Sequence, residues 1–139
     1  MISSNPLHQK LAALAIEAQS FSHSPYSEKK IGSALQLSNG QIYSGCNIEN
    51  ASYGGTVCAE RVAIFKAYSE NKKPVHITHI AVASDEIDPW PPCGFCRQVL
   101  AEFATANTEV VLTNKQGIKQ FILFKDLLPF AFKPEHLQK

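Results

Sequence analysis

The sequence predicts an α/β protein, a mixed five-stranded sheet with helices packed on it. Three features point to that class. An early stretch has apolar residues at helical spacing. Two short strand-like segments follow, joined by Asn39-Gly40. After them, helix-like and strand-like runs alternate in the order expected of β-α-β units.

Leu7, Leu11, Leu14 and Ala18 recur at spacings of three and four, which predicts a helix with those residues on its inner face. Asn5 is placed to cap it, Pro6 suits its first position, and it fades near Ser20. Residues 22–27, with Pro25, read as a loop. Residues 31–38 and 41–49 read as strands. Asn39-Gly40 between them favours a type I′ hairpin turn, which needs positive φ at both central positions. Residues 57–71 are a predicted helix with Val62, Phe65 and Tyr68 inward, and Ile77–Ala83 is a short apolar strand. Pro89, Pro91 and Pro92 exclude helix where they stand. Residues 94–104 form the next helix, with Val99, Leu100 and Phe103 apolar, and residues 109–113 and 118–123 the last two strands. A helical turn over 125–128 and an irregular tail complete the order. No repeat, linker or charge block divides the chain, so residues 1–139 read as a single domain.

Composition narrows the function. The chain is 45% hydrophobic and 18% charged, ordinary for a globular protein. Thirteen Lys and Arg against twelve Asp and Glu leave a net charge of +1. No bulk charge or basic stripe is present to bind nucleic acid or an anionic membrane. The longest apolar run, residues 11–16, is far short of a bilayer span, and no signal-peptide pattern opens the chain. These features point to the cytoplasm.

The chemistry gathers around four cysteines. Cys58-Ala59-Glu60 opens one predicted helix and Pro92-Cys93-Gly94-Phe95-Cys96 another. One helical turn puts Cys93 and Cys96 on the same side. Helix N-termini favour the thiolate that a metal needs. Two such starts aimed at one place make a three-thiolate site, and tetrahedral Zn²⁺ then keeps a fourth position for water. Cys46 offers an alternative, a fourth sulfur that would close the site. Strand alternation argues for a buried Cys46 instead, because it turns Cys46 away from the face that carries Asn47 and Glu49. A CxxC redox pair is a further alternative for Cys93 and Cys96, but it gives Cys58 and Glu60 no role. Glu60 by itself could simply complement a helix dipole; beside Cys58 it reads as a carboxylate that shuttles protons. Three thiolates with Zn²⁺ sum to a negative charge, and Arg61 is placed to offset it, with Arg97 a weaker candidate.

From about Ser24 onward the sequence resembles the short-chain, homotetrameric, zinc-dependent cytidine deaminases. The resemblance rests on Pro25-Tyr26-Ser27, Gly45-Cys46-Asn47-Ile48-Glu49-Asn50-Ala51, Cys58-Ala59-Glu60-Arg61, Pro92-Cys93-Gly94-Phe95-Cys96-Arg97-Gln98-Val99 and Leu127-Leu128-Pro129, in that order. It implies a three-layer α/β/α fold with helices on both faces of the sheet. It implies hydrolytic deamination of cytidine and deoxycytidine to uridine and deoxyuridine, a pyrimidine-salvage reaction that releases ammonia. One Zn²⁺ per subunit would be held by Cys58, Cys93 and Cys96, and Glu60 would carry protons. Asn47 and Glu49 would bind the ribose hydroxyls, and Ala59 would join the substrate-binding positions. Ala51, Tyr53 and Phe132 would complete a neighbouring subunit's pocket in a tetramer.

Two positions depart from that family's pattern. Lys29 stands where an aromatic residue usually packs on the base, a contact worth about 1–3 kcal/mol. The Lys29 stem could cover the base while its charge reaches solvent. Gly54-Gly55-Thr56 predicts a looser loop at the pocket edge. His76 and His79 fall on opposite strand faces and read as structural, and Trp90 reads as packing. The tail carries two exposed phenylalanines that suit contact with another subunit. The alternative functions are a blasticidin-type or other small-molecule aminohydrolase on the same zinc scaffold, and a non-enzymatic zinc module closed by Cys46.

Overall fold

A computed structural model of the chain describes residues 3–72 and 74–138. The elements run α1 (Pro6–Ala18), β1 (Gly32–Leu37), β2 (Ile42–Cys46), α2 (Ala59–Ser69), β3 (Ile77–Ala83), α3 (Gly94–Phe103), β4 (Ala104–Asn114), β5 (Gly117–Leu123) and α4 (Phe124–Leu127). The sheet has the order β2-β1-β3-β4-β5. Only β3 and β4 are parallel, with α3 as the crossover between them; the other pairs are antiparallel.

Strand alternation divides the core into two layers. Leu35, Ile80, Val82, Val110 and Leu112 face α2 and α3, where Ile64, Ala67 and Leu100 are buried. Ala34, Ala81, Ala83 and Val111 face α1, where Leu11, Ala12 and Ala15 are buried. Helices therefore cover both faces, as the three-layer expectation requires.

The buried stripes are rotated from those expected. In α1 the fully buried positions are His8, Leu11, Ala12, Ala15 and Ala18, while Leu7 and Leu14 lie at the margin. In α2 they are Ala59, Glu60, Ala63, Ile64 and Ala67; Val62 and Tyr68 are half-buried, and Phe65 is exposed. Small alanines let these helices approach the sheet closely, so the largest side chains do not mark the inner face. Gly45 is part of the same close approach. A Cβ there would lie 2.6 Å from the backbone nitrogen of Ala63 and 2.8 Å from the carbonyl oxygen of Ala59. That contact fixes the start of α2 against the end of β2.

The hairpin also differs from expectation. Only Gly40 has positive φ (87°), and Leu37 N donates to Gln41 O at 2.9 Å. The loop is thus three residues long, with glycine in the left-handed position, rather than a two-residue type I′ turn. β4 begins earlier than expected, directly after α3. Its register against β3 jumps between Ile77↔Ala104 and His79↔Glu109, and the exposed polar stretch inside the jump hid the strand start.

Candidate metal and substrate site

Two helix starts converge at one end of the sheet. Cys58 is the N-cap of α2, with extended backbone, and Cys93 is the N-cap of α3, where its sulfur accepts a hydrogen bond from the backbone nitrogen of Cys96 at 3.4 Å. The sulfurs of Cys58, Cys93 and Cys96 all lie within 4.8 Å of one another. Cys58 Sγ and Cys93 Sγ are 3.8 Å apart. Tetrahedral zinc with Zn–S bonds of about 2.3 Å spaces its sulfurs by roughly 3.8 Å, so the donor set fits that ion. Cys46 is buried and lies outside the cluster; burial pushes its thiol above the usual range, as suits a sulfur packed as a hydrophobe.

The cluster favours thiolate. The Cys58 thiol is pushed down to about 5, first by the hydrogen bond with Cys96 and then by Arg61 and Cys93 acting against burial. The same hydrogen bond, seen from the donor, combines with burial to hold Cys96 up. Arg61 Nη2 donates to Cys58 Sγ at 3.5 Å and to the Thr56 carbonyl at the same distance. Its guanidinium carbon sits 4.3 Å from the centre of the Phe95 ring. Arg61 thus stands where the charge argument puts it. Arg97 does not: it donates to the carbonyls of Pro92 and Leu127, both at 2.8 Å, and ties the start of α3 to α4.

Glu60 is only 3% exposed, yet it lines a cavity of about 310 Å³ together with Cys58, Ala59 and Cys93. Burial raises its carboxyl to about 7, and the negative Cys58 adds to the rise. A group poised there can both take and return a proton near neutral pH.

Ser27, Asn47 and Glu49 line the same cavity. Asn47 Nδ2 donates to the Lys29 carbonyl at 2.7 Å, and Oδ1 accepts from Ile31 N at 3.0 Å and Ser22 Oγ at 2.5 Å. Glu49 Oε1 accepts from the backbone nitrogens of Tyr26 and Ser27, and Oε2 accepts from Ser27 Oγ. The Ser27 hydroxyl is the first cause holding the Glu49 carboxyl below its ordinary range. Both side chains therefore order the 22–31 loop as well as lining the cavity. One Nδ2 proton of Asn47 and lone-pair capacity on Glu49 Oε2 remain to meet a ligand.

Other expected positions fall differently. Tyr53 is exposed and lies 5.8 Å, ring to ring, from Tyr26 beside an adjoining cavity shared with Glu49. Ala51 and Phe132 are exposed and do not line the cavity of their own chain; Phe132 stacks on His136 instead. The Gly54-Gly55-Thr56 segment is tied rather than loose: Tyr53–Gly55 forms a 3-10 turn and Thr56 Oγ1 accepts from Asn50 N at 3.2 Å. Lys29 reaches the cavity edge, but its ammonium pairs with Glu86 at 2.7 Å and sits 5.8 Å from the Trp90 ring. Trp90 is 43% exposed and lines the cavity, so it is a wall of the site and not mere packing. The sequence signal for it was its place two residues before Pro92-Cys93. Phe95, under Arg61, was also missed. His76 and His79 do not come together, but His79 meets His8 and Glu109 on the α1 face.

The family model describing the cytidine and deoxycytidylate deaminase zinc-binding region matches residues 6–113. A cytidine deaminase of Halalkalibacterium halodurans is 50% identical over 129 residues, covering 93% of this chain and 96% of that protein. One from Sporosarcina psychrophila is 43% identical, covering 93% of each. A crystal structure of cytidine deaminase from Burkholderia pseudomallei aligns with a TM-score of 0.84 at 44% identity, covering 90% of this chain and 98% of that one. With its three-sulfur cluster and buried glutamate in place, the chain belongs to the zinc-binding cytidine and deoxycytidylate deaminase family.

Proposed function

We infer that the protein catalyses the hydrolytic deamination of cytidine to uridine, with deoxycytidine as a second substrate. The observation that carries this reading is the buried Glu60 carboxylate opening into the same cavity as Cys58 and Cys93. Cys58, Cys93 and Cys96 would hold zinc, which, when bound, supplies the Lewis acidity that lets water lose a proton near neutral pH.

This chain's own residues do the rest. Glu60 takes the proton from the attacking water and delivers it to N3 of cytosine while oxygen adds at C4. Glu60 then takes the proton of the new C4 hydroxyl and passes it to the amino group, the C4–N bond breaks as the C4 carbonyl forms, and ammonia leaves. Asn47, Glu49 and Ala59 bind and orient the nucleoside, the first two through ribose hydroxyls. A site built on a 3′-hydroxyl accepts the deoxynucleoside and rejects ligands without that hydroxyl. Arg61 offsets the sulfur charge beside Cys58.

Residues 1–139 form one catalytic unit in this reading. The fully exposed Phe130, with Phe132 and Tyr53, supports a homotetramer in which Ala51, Tyr53 and Phe132 complete a neighbour's pocket. No described helix is long and apolar enough to cross a membrane. A site built on free thiols suits a reducing compartment, which supports a cytoplasmic location.

Incubating the protein with cytidine and following ammonia and the loss of cytidine absorbance tests the reaction. Wild type should release one ammonia per uridine, and Glu60→Gln should keep its zinc and lose the activity. A zinc-loaded wild type that leaves cytidine unchanged would reject the reading. Light scattering tests the assembly, and a monomer would remove the tetramer.

A further inference from the structure

On the face of the sheet away from the cysteines, His8, His79 and Glu109 bring one donor atom each within 4.8 Å of one another. His8 projects from the first turns of α1, and His79 and Glu109 are register partners on the parallel strands β3 and β4. Both imidazole Nε2 atoms meet the same carboxylate oxygen. Glu109 Oε2 is 3.4 Å from His8 Nε2 and 2.5 Å from His79 Nε2.

The other ring nitrogens are held from behind. His8 Nδ1 meets Ser3 Oγ at 2.5 Å, and His79 Nδ1 meets Thr78 Oγ1 at 2.9 Å. Thr78 Oγ1 donates its proton to the Gln36 carbonyl at 3.2 Å. The Thr78 contact anchors the His79 ring on its Nδ1 side and leaves Nε2 facing Glu109. Both Nε2 atoms then face one carboxylate oxygen, the arrangement a shared cation would take. The His8 ring is fixed by packing against Phe121, with centroids 5.0 Å apart, and by an edge contact with His79.

We propose that His8, His79 and Glu109 form a second metal site, taking a borderline divalent ion such as Zn²⁺ or Co²⁺. Two imidazole nitrogens and one carboxylate are a donor set such ions accept, and Nδ1 partners behind ligating imidazoles are the usual support. Ligands around such an ion stand roughly 3.3 Å apart. The His8–Glu109 spacing already fits. A small turn of the partly exposed Glu109 carboxylate brings His79 to the same spacing. The ion would pin the first turns of α1 to the middle of the sheet, a structural clamp separate from the deaminase site. The rival occupant is a proton on His79 Nε2 shared with Glu109.

The test uses untagged holoenzyme with zinc already in the cysteine site. The protein is titrated with Co²⁺, passed through a desalting column, and analysed for both metals. One retained cobalt per chain beyond the zinc is expected, with an X-ray absorption spectrum showing two imidazoles. It should be lost in His79→Ala and in Glu109→Gln, with zinc content and cytidine turnover unchanged. Zn²⁺ in place of Co²⁺ should raise Tm by at least a few degrees in wild type only. The proposal fails if saturating Co²⁺ leaves no second metal on wild type, or if that metal's spectrum lacks imidazole. The wild-type spectrum decides the matter even if a variant does not fold.

Discussion

The Arg61 guanidinium donates to the Cys58 sulfur at 3.5 Å while its flat face lies over Phe95, one residue before Cys96. The two helix starts that present the cysteines are thereby linked by a single side chain. Residues that sit behind metal ligands typically change metal affinity or activity by 10–100-fold when removed. Arg61→Ala should lower zinc affinity and kcat/KM by about that factor. Phe95→Ala should do so by less, since an exposed cation–π contact is worth about 0.5–1 kcal/mol. Competition with a coloured zinc chelator measures both. Unchanged affinity in Arg61→Ala would show that its charge does not act on the sulfurs.

Burying Glu60 has a stability consequence whose sign follows from its raised carboxyl. The folded protein holds that proton up to about pH 7, whereas an ordinary glutamate loses it near 4.5. The stability of protonated Glu60 is fully present below 4.5 and is lost as pH rises through 7. Glu60→Gln, which has no charge to bury, should therefore gain on wild type at pH 8 by about 3 kcal/mol relative to their difference at pH 4.5. Urea denaturation of both proteins in chelator at the two pH values measures this. A constant difference would mean that the carboxylate is well solvated in the fold.

Glu49 joins the 22–31 loop to the cavity, so its loss should be felt twice. Glu49→Gln keeps the size but weakens acceptance from Tyr26 N, Ser27 N and Ser27 Oγ. It should raise KM for cytidine roughly tenfold while shrinking the preference for cytidine over 3′-deoxycytidine, since each charge-assisted hydrogen bond is worth about 1.5–3 kcal/mol. Steady-state kinetics on the two nucleosides checks it. A higher KM with the preference intact would assign Glu49 to the loop alone.

Trp90 offers the aromatic face that Lys29 does not. Trp90→Ala should raise KM for cytidine by about 5–150-fold, the range that 1–3 kcal/mol of base stacking represents. Lys29→Phe should lower KM, because it removes the pair with Glu86 from the rim and adds a ring. If neither substitution moves KM, the base does not lie against this wall.

Much of the fold was legible because its signals are local. Asn5-Pro6 marked the start of α1, three prolines marked the break before α3, and strand β3 was bounded correctly by its apolar run. The metal cluster was legible for the same reason, since Cys58 and Cys93 are helix N-caps and Cys96 is one turn from Cys93. The inner faces of α1 and α2 were not. Close packing selects alanine there, and the backbone approach at Gly45 that requires it is a tertiary fact. The His8–His79–Glu109 cluster was hidden likewise, and the place of Trp90 two residues before Pro92-Cys93 does not say that its ring walls the cavity. Each depends on which distant segments the parallel β3–β4 pairing and the 22–31 loop bring together, and a single sequence carries no mark of that.

The most direct measurement is X-ray absorption at the zinc edge on protein carrying one zinc per chain. Three sulfur neighbours near 2.3 Å and one lighter neighbour near 2.0 Å are expected, with Cys46→Ala leaving the spectrum unchanged. Four sulfur neighbours, one of them lost in Cys46→Ala, would contradict an open deaminase site and make the zinc a structural one.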